Sequence, residues 1–419
     1  MKLIVENFSC IKNTEVDISR VNILIGPQAS GKSVLSKLIY FFYCIKDLHS
    51  EQISSERNIE QFSTAIKEKF IAWFPIIAWG DEKFKISFES NKFKITISRV
   101  IYKGELGENL RITLSEGIKN IHTELVHSAS LINSEIEKND DFYIQYQIQR
   151  KINEEIQKRY SEIFGEDYID SVTYIPAGRS FFTNLGRALM AFERANMLDP
   201  VTVEFGRTYS NFIQGNDALL RFIRKDSSSR FLTDIIGGDI INEKGDYYIK
   251  SPDGRSIPFH SLSSGQQELL PLLLTFGLLS RYKNNSSLFF IEEPEAHLFP
   301  NAQSKVIEGL AAYLNENKNR SIFITTHSPY VLSKINNLIK AGLIERTSKS
   351  KEQLSKLDQV VSKQKRIDPS HIRAYCIEDG VVSSIIDDDT KLINADYLDE
   401  ISNQIGNQFS DLLNIQYTY

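Results

Sequence analysis

At 419 residues the chain is long enough for one large domain with insertions or for two to three ordinary ones. Hydrophobic residues make up 41% and charged residues 25%, a soluble globular balance, and a net charge of −5 excludes a uniformly basic coat for nucleic acid. The three cysteines, Cys10, Cys44 and Cys376, are too few and too scattered for a disulfide framework or a zinc site.

The start, Met1 to Phe8, reads as a short strand with a charge inside it rather than as a signal peptide. The longest apolar stretches, Phe70 to Trp79 (broken by Pro75) and Leu269 to Leu279, fall well short of the roughly 20 residues that cross a bilayer. No membrane span is therefore expected, and a cytoplasmic location fits the cysteine usage.

Residues 1–25 give two strand-like runs, Leu3 to Phe8 and Val21 to Ile25, separated by the polar Lys12-Asn13-Thr14. The second run enters Gly26-Pro27-Gln28-Ala29-Ser30-Gly31-Lys32-Ser33, which fits G-x-x-x-x-G-K-[ST]. In this loop backbone N–H groups cradle phosphates, Lys reaches the outer phosphates and Ser holds Mg²⁺. Val34 to Phe41 reads as a helix leaving the loop, so a helix N-terminus points at the anion. A polar, helical segment from Lys46 to Lys69 follows. Then comes Phe70 to Trp79 with both tryptophans, which is either core or a partner-binding patch.

Phe84 to Phe88 and Phe93 to Ile97 alternate apolar and polar residues across a turn at Glu89 to Lys92, the pattern of a half-buried hairpin, and Arg111 to Leu114 offers a third strand. Ile118 to Asp167 is helical and charged. As two antiparallel helices it spans about 33 Å, too short for a long coiled-coil arm. Val172 to Pro176 reads as a strand that delivers Ala177-Gly178-Arg179-Ser180 to a sheet edge, followed by helix over Thr183 to Asn196 and Val203 to Arg224. Gly237-Gly238, Lys244-Gly245-Asp246 and Ser251 to Arg255 carry turn signals. The basic run Arg346 to Arg366 is either a solvated helical face or a DNA-contacting patch.

Three further motifs complete the chemistry of a triphosphate site. Ser287 to Ile291 reads as a buried parallel strand ending in Glu292-Glu293, and by position Glu292 holds the Mg²⁺ shell while Glu293 orients or deprotonates the attacking water. Ser321 to Thr326 repeats the design and ends at His327, placed to contact the γ-phosphate or the water. His260 to Glu268 precedes the apolar helix Leu269 to Leu279, and its small residues leave a second helix N-terminus open to an anion. One triphosphate does not need two such sites. The economical account is that this turn closes on nucleotide held by a partner subunit.

Leu262-Ser263-Ser264-Gly265-Gln266 resembles the signature loop L-S-G-G-Q of ABC-type ATPases. With Gly26 to Ser33, Ile291-Glu292-Glu293-Pro294-Glu295-Ala296-His297-Leu298-Phe299-Pro300 and Thr326-His327-Ser328-Pro329, it is similar to the branch containing SMC, RecF and OLD proteins and the ATPases of bacterial defence systems such as Septu and PARIS. The likeness spans residues 1–45 and about 170–335, and Arg373 to Phe409 resembles the short C-terminal hairpin and helix of stand-alone members. This sequence departs from the common pattern at Gln28 and Ala29, at Glu292 where Asp is usual, at Ser264 for Gly, and in having no glutamine in Tyr174 to Arg179.

The resemblance implies an α/β ABC-type head with a mixed sheet (residues 1–45 and 170–419), an antiparallel β lobe with linking helix (46–115) and a short helical insertion (116–169). It implies an ATPase with Mg²⁺ as cofactor. ATP would be bound by Gly26, Pro27, Gln28, Ala29, Ser30, Gly31, Lys32, Ser33 and Val34. The metal would sit on Ser33 and Glu292, with Glu293, His327 and Lys32 catalytic. Ser263, Ser264, Gly265 and Gln266 would close on the nucleotide across a homodimer or higher homo-oligomer. The implied role is a dimerising switch that controls a separate effector such as a nuclease, in anti-phage defence or DNA metabolism, with nucleic acid left open as a partner. The alternatives are a self-contained OLD-like nuclease, for which Asp387-Asp388-Asp389 and Glu378 would be the metal ligands, and an ATP-binding scaffold with little turnover. A transporter subunit is disfavoured by the Glu-Glu-Pro-Glu-Ala-His form.

Overall fold

The computed structural model describes residues 1–90, 93–102, 105–136, 142–185, 198–214, 235–243, 246–279, 286–348, 350–394, 406–413 and 415. Its centre is an eleven-stranded mixed sheet. One half is built by β1 (Lys2–Phe8), β2 (Ile11–Asp17), β4 (Lys85–Glu89), β5 (Lys94–Tyr102) and β6 (Glu105–Leu114), in the antiparallel order β6-β5-β4-β1-β2. The other half contains β3 (Val21–Ile25), β7 (Ser171–Ile175), β11 (Ser287–Glu292) and β12 (Arg320–Thr326), all parallel and in the order β3-β12-β11-β7. Strands buried on both faces read as continuous apolar runs, which is why β3 and β11 are conspicuous in the sequence. The expected α/β class, mixed sheet, antiparallel lobe and helical insertion are all present.

Between the halves stand β13 (Ile372–Glu378) and β14 (Val381–Ser384). β13 pairs in parallel with β3, and β14 touches β2. The C-terminal hairpin therefore lies in the middle of the sheet, against the strand that enters the phosphate loop. A separate small sheet, β8 (Asp239–Glu243), β9 (Asp246–Lys250) and β10 (Ser256–Pro258), leads toward the Ser263 to Gln266 turn.

Helix α1 (Lys32–Ser54) runs past the expected boundary near residue 45 because Ile45, His49 and Ile53 continue its buried face at a spacing of four. It stops where Glu56 turns left-handed, at φ 53, and Asn58 opens α2 (Ile59–Trp73) with a capping box to Gln61. Phe70, Phe74 and Trp79 are buried, so the aromatic run is mostly core, with Ile77 almost fully exposed. The third strand β6 starts well before Arg111, and β2 occupies the segment expected as a polar break. The insertion is the helix pair α3 (Glu116–Ile136) and α4 (Phe142–Phe164), about 32 and 35 Å long. Then come α5 (Ser180–Leu185), α6 (Pro200–Gln214), α7 (Ser264–Leu279), α8 (Pro300–Glu316), α9 (Pro329–Thr347) and α10 (Lys351–Val360). The expected helix over residues 186–196 and 215–224 lies outside the described residues.

In the basic run, Lys356 pairs with Glu352 at 2.8 Å and Lys365 with Glu308 at 2.6 Å. Arg366 is buried between Glu345 and Asp358. Much of its charge is thus matched inside the fold. Among the described residues, no helix is long and apolar enough to cross a membrane.

Candidate nucleotide site

The four parallel strands end level with one another. In register, Glu292 of β11 faces Thr325 of β12, Thr326 faces Ile25 of β3, and Ile291 faces Ile175 of β7. The phosphate loop, Glu293, His327 and the Pro176 to Arg179 turn accordingly emerge at one carboxyl edge, the place where open α/β sheets hold ligands.

Leaving β3, the chain turns through Gly26 to Gly31, with Ala29 at φ 61 and Gly31 at φ 106. Glycine is required at Gly26, where a Cβ would stand 2.3 Å from the Ile377 carbonyl oxygen of β13. The central hairpin therefore packs directly beneath the loop. Lys32 opens α1 and is buried; its ammonium donates to the carbonyls of Gly26 (2.8 Å) and Pro27 (2.7 Å). Burial pulls this ammonium below the ordinary lysine range, opposed by the carboxylates of Glu293, Glu295 and Glu292. Ser33, one residue on, is exposed, so its hydroxyl is open to a ligand.

At the end of β11 the two carboxylates part. Glu292 is buried, and each of its oxygens accepts a hydrogen bond: Oε1 from the Tyr174 hydroxyl at 2.7 Å and Oε2 from the Ala177 N–H at 3.1 Å. Tyr174 also pairs with Ser36 Oγ of α1 at 2.8 Å, so strand end and phosphate-loop helix are tied through one phenol. Glu293 adopts φ 44, a left-handed conformation uncommon for a side-chain-bearing residue, and its N–H donates to Thr325 O at 2.9 Å. Its carboxylate is partly exposed, and His327 Nδ1 stands 3.5 Å from Glu293 Oε1 and 3.6 Å from Glu295 Oε1.

Glu295 and Arg179 are the residues to which the sequence reading gave no role. Glu295 Oε1 is buried and accepts from Thr326 Oγ1 (2.6 Å) and the His327 N–H (3.1 Å), which fixes the turn that carries the histidine. The signal for it was its place in the Glu-Glu-Pro-Glu run. Arg179 is wholly buried and donates to the backbone carbonyls of Glu292 and Glu293. No local pattern announces that.

The Ser263 to Gln266 turn begins α7. Ser263 Oγ accepts from the Gln266 N–H (3.4 Å) and donates to Gln266 Oε1 (2.9 Å), while the Ser263 N–H donates to that same oxygen (3.1 Å), a capping-box arrangement. Ser263 and Ser264 are exposed at this helix start. Pro271 lies inside α7 and cannot donate to the Gln267 carbonyl, which takes the Thr183 hydroxyl of α5 instead, at 2.9 Å. A Cβ on Gly265 would stand 2.9 Å from the His297 carbonyl, so the turn packs against the segment following Glu293. It therefore belongs to the β11 and β7 side of the edge, with β12 between it and the phosphate-loop strand.

Three buried oxygens here have no hydrogen-bond partner: Ser30 Oγ in the phosphate loop, Glu295 Oε2 beside His327, and Glu268 Oε2, which faces the Arg179 guanidinium. Such orphans are rare in folded proteins. A hydroxyl without an acceptor beside a lysine, and a carboxylate oxygen without a donor, fit a phosphate accompanied by a divalent cation. Elsewhere, Asp387 Oδ1 accepts from the N–H groups of Asp389 and Thr390 and from the Thr390 hydroxyl, closing a solvated turn. Among the described residues, no group of three or more His, Cys, Asp or Glu side chains is arranged to hold a metal.

Residues 21–333 match the family described as "AAA domain, putative AbiEii toxin, Type IV TA system". No curated protein sequence matches the chain. Among solved structures, the chain is similar to the SMC head domain from Thermotoga maritima, at 15% identity and a TM-score of 0.36 over 92% of this chain and 97% of that one. An SMC head bound to the C-winged helix domain of ScpA gives 13%, 0.43, 92% and 96%. The recombination mediator protein RecF gives 11%, 0.36, 92% and 97%.

Proposed function

The chain belongs to this AAA-domain family of P-loop ATPases, and from that premise we propose that it hydrolyses ATP as a dimerising switch in which two copies sandwich two nucleotides. Lys32 leaves the carbonyls of Gly26 and Pro27 to bind the outer phosphates. Glu293 takes the proton of the attacking water, and His327, against Glu293 and Glu295, orients the water or the terminal phosphate. Ser33 and Glu292 would hold Mg²⁺, which would neutralise charge developing on the phosphates. Tyr174 and Ala177, which donate to the two Glu292 oxygens, would fix the orientation of that carboxylate for the metal.

What supports this reading is one relationship: Lys32, Glu293 and His327 share an edge, while the Ser263 to Gln266 turn on that edge is set aside from its own phosphate loop by the width of β12. A second copy, turned about a two-fold axis, brings that turn over the nucleotide. Hydrolysis then reopens the pair and passes the signal to a separate effector such as a nuclease, in anti-phage defence or DNA metabolism. The division into a head (1–45 and 170–419), a β lobe (46–115) and a helical insertion (116–169), and a cytoplasmic setting, belong to the same proposal. The self-contained nuclease is disfavoured by the solvated turn at Asp387.

The test is ATP turnover of the wild-type protein beside Lys32→Ala and Glu293→Gln, with mass in solution followed by light scattering with and without ATP. Turnover unaffected by Glu293→Gln, or a mass that ignores ATP in that variant, refutes the switch.

A further inference from the structure

We propose that Arg179 is a positioning residue that couples the two nucleotide sites of the dimer by tying the signature turn to Glu293 within one chain. The proposal rests on the sandwich reading above.

The Arg179 guanidinium is fully buried and holds four backbone carbonyls drawn from three elements. Its Nε donates to Glu268 O at 2.9 Å, Nη1 to Pro176 O at 3.2 Å and Glu292 O at 2.9 Å, and Nη2 to Glu293 O at 3.2 Å. The Glu268 carboxylate, in the first turns of α7, supplies the counter-charge: Oε2 lies 3.7 Å from Nε, and Oε1 accepts the Ser180 N–H at 3.3 Å. Burying such a pair is expensive and seldom adds net stability, so its value lies in the geometry it imposes. The planar five-donor fork of arginine reaches all four carbonyls at once, more than the three donors of a lysine ammonium can serve.

Glu293 depends on that geometry. Its left-handed backbone is held from one side by Thr325 O and from the other by Arg179 and the Ala296 N–H on its carbonyl. Movement of Glu268 therefore reorients the catalytic carboxylate. A second strap runs in parallel, since Gly265 leaves no room for a Cβ against the His297 carbonyl. Helix start, Arg179 and the Glu293 turn move as a unit. In a sandwich the turn of one chain senses the partner's nucleotide, whereas Glu293 of that chain acts on its own. Each site thus reports its occupancy to the other, a coupling carried by an identified network rather than by proximity.

The experiment combines two differently tagged full-length chains, one Glu268→Gln and one Glu293→Gln, and isolates the mixed dimer with ATP. Glutamine keeps an acceptor for Ser180 and removes the charge facing Arg179. The one complete site in that dimer pairs the first chain's unaltered Glu293 with the second chain's unaltered signature turn. The expected result is turnover at least about tenfold below a mixed dimer of wild type with Glu293→Gln, with ATP affinity within about twofold, at a temperature below the melting point of both dimers. Equal turnover in the two dimers overturns the coupling. Failure of the chains to associate with ATP overturns instead the sandwich on which it rests. Should Glu268→Gln lose its fold, Arg179→Lys, which keeps the charge facing Glu268 but gives up the fork that reaches Glu268, Glu292 and Glu293, replaces it with the same two outcomes.

Discussion

His327 Nδ1 lies 3.5 Å from Glu293 Oε1, two side chains from neighbouring parallel strands brought to one point by the register of β11 and β12. The pair places a carboxylate that can take a proton beside a ring that can hold a water or a phosphate oxygen. Glu293→Gln keeps the shape and the strained turn but removes the base. Hydrolysis is expected to fall by roughly 10²- to 10⁴-fold, ATP binding to persist and a closed dimer to accumulate. Single-turnover kinetics and light scattering on the same sample check all three.

For Lys32→Ala the expected loss is in affinity itself. The ammonium bonds two carbonyls of its own loop, both replaceable by phosphate oxygens, and charge-assisted bonds of this kind contribute about 1.5–3 kcal/mol. That corresponds to a roughly 10- to 150-fold weaker binding of labelled ATP at equilibrium. Because burial disfavours the Lys32 charge, the nucleotide-free variant should melt no lower than wild type. A drop in both melting temperature and affinity would assign the lysine to the fold instead.

The sequence made the contiguous parts legible. β3, the phosphate loop, β11 and β12 are apolar runs with chemistry at their ends, and such strings survive without knowledge of the rest. β2 escaped because it buries Ile11, Thr14 and Val16 while Lys12, Asn13, Glu15 and Asp17 stay exposed, so that its polar middle reads as a break. The central seat of the C-terminal hairpin was invisible for another reason. β13 pairs with β3 across most of the chain length, and nothing local in Ile372 to Glu378 specifies that neighbour. Arg179 escaped in the same way: its partners are backbone carbonyls, which carry no residue identity.

The Tyr174 hydroxyl donates to Glu292 Oε1 while pairing with Ser36 of α1. Tyr174→Phe leaves a buried carboxylate oxygen without its donor, at a cost of about 1–3 kcal/mol. Partners of this kind around metal-holding carboxylates typically contribute 10- to 100-fold in metal affinity. The Mg²⁺ concentration for half-maximal ATPase activity should therefore rise by roughly that factor, with the maximal rate at saturating Mg²⁺ much less affected. An unchanged Mg²⁺ requirement would remove Glu292 from the metal shell.

A proton-poor chain of rings ties the insertion to the helix of the phosphate loop. Tyr160 of α4, His49 of α1 and His122 of α3 are linked in sequence, with His49 Nε2 2.9 Å from His122 Nδ1 and His122 Nε2 2.9 Å from Arg57 O. Since a carbonyl can only accept, His122 carries its hydrogen on Nε2. Its bare Nδ1 then accepts from His49 Nε2–H, and His49 Nδ1 accepts from the Tyr160 hydroxyl. Both rings are neutral in this arrangement. Burial, aided by His122, pulls His49 from 6.5 down to about 3, and burial also lowers His122. Between those values the unfolded chain binds a proton that the folded chain refuses, so stability rises with pH through this window and is complete above about 6.5. At pH 5 the loss from His49 is about 2 kcal/mol. His49→Gln keeps a donor and an acceptor but does not titrate, and should flatten the fall in urea midpoint between pH 7 and pH 5. Parallel slopes for variant and wild type would mean that the folded protein protonates His49 without penalty, and that the ring chain does not hold the insertion to α1 as described.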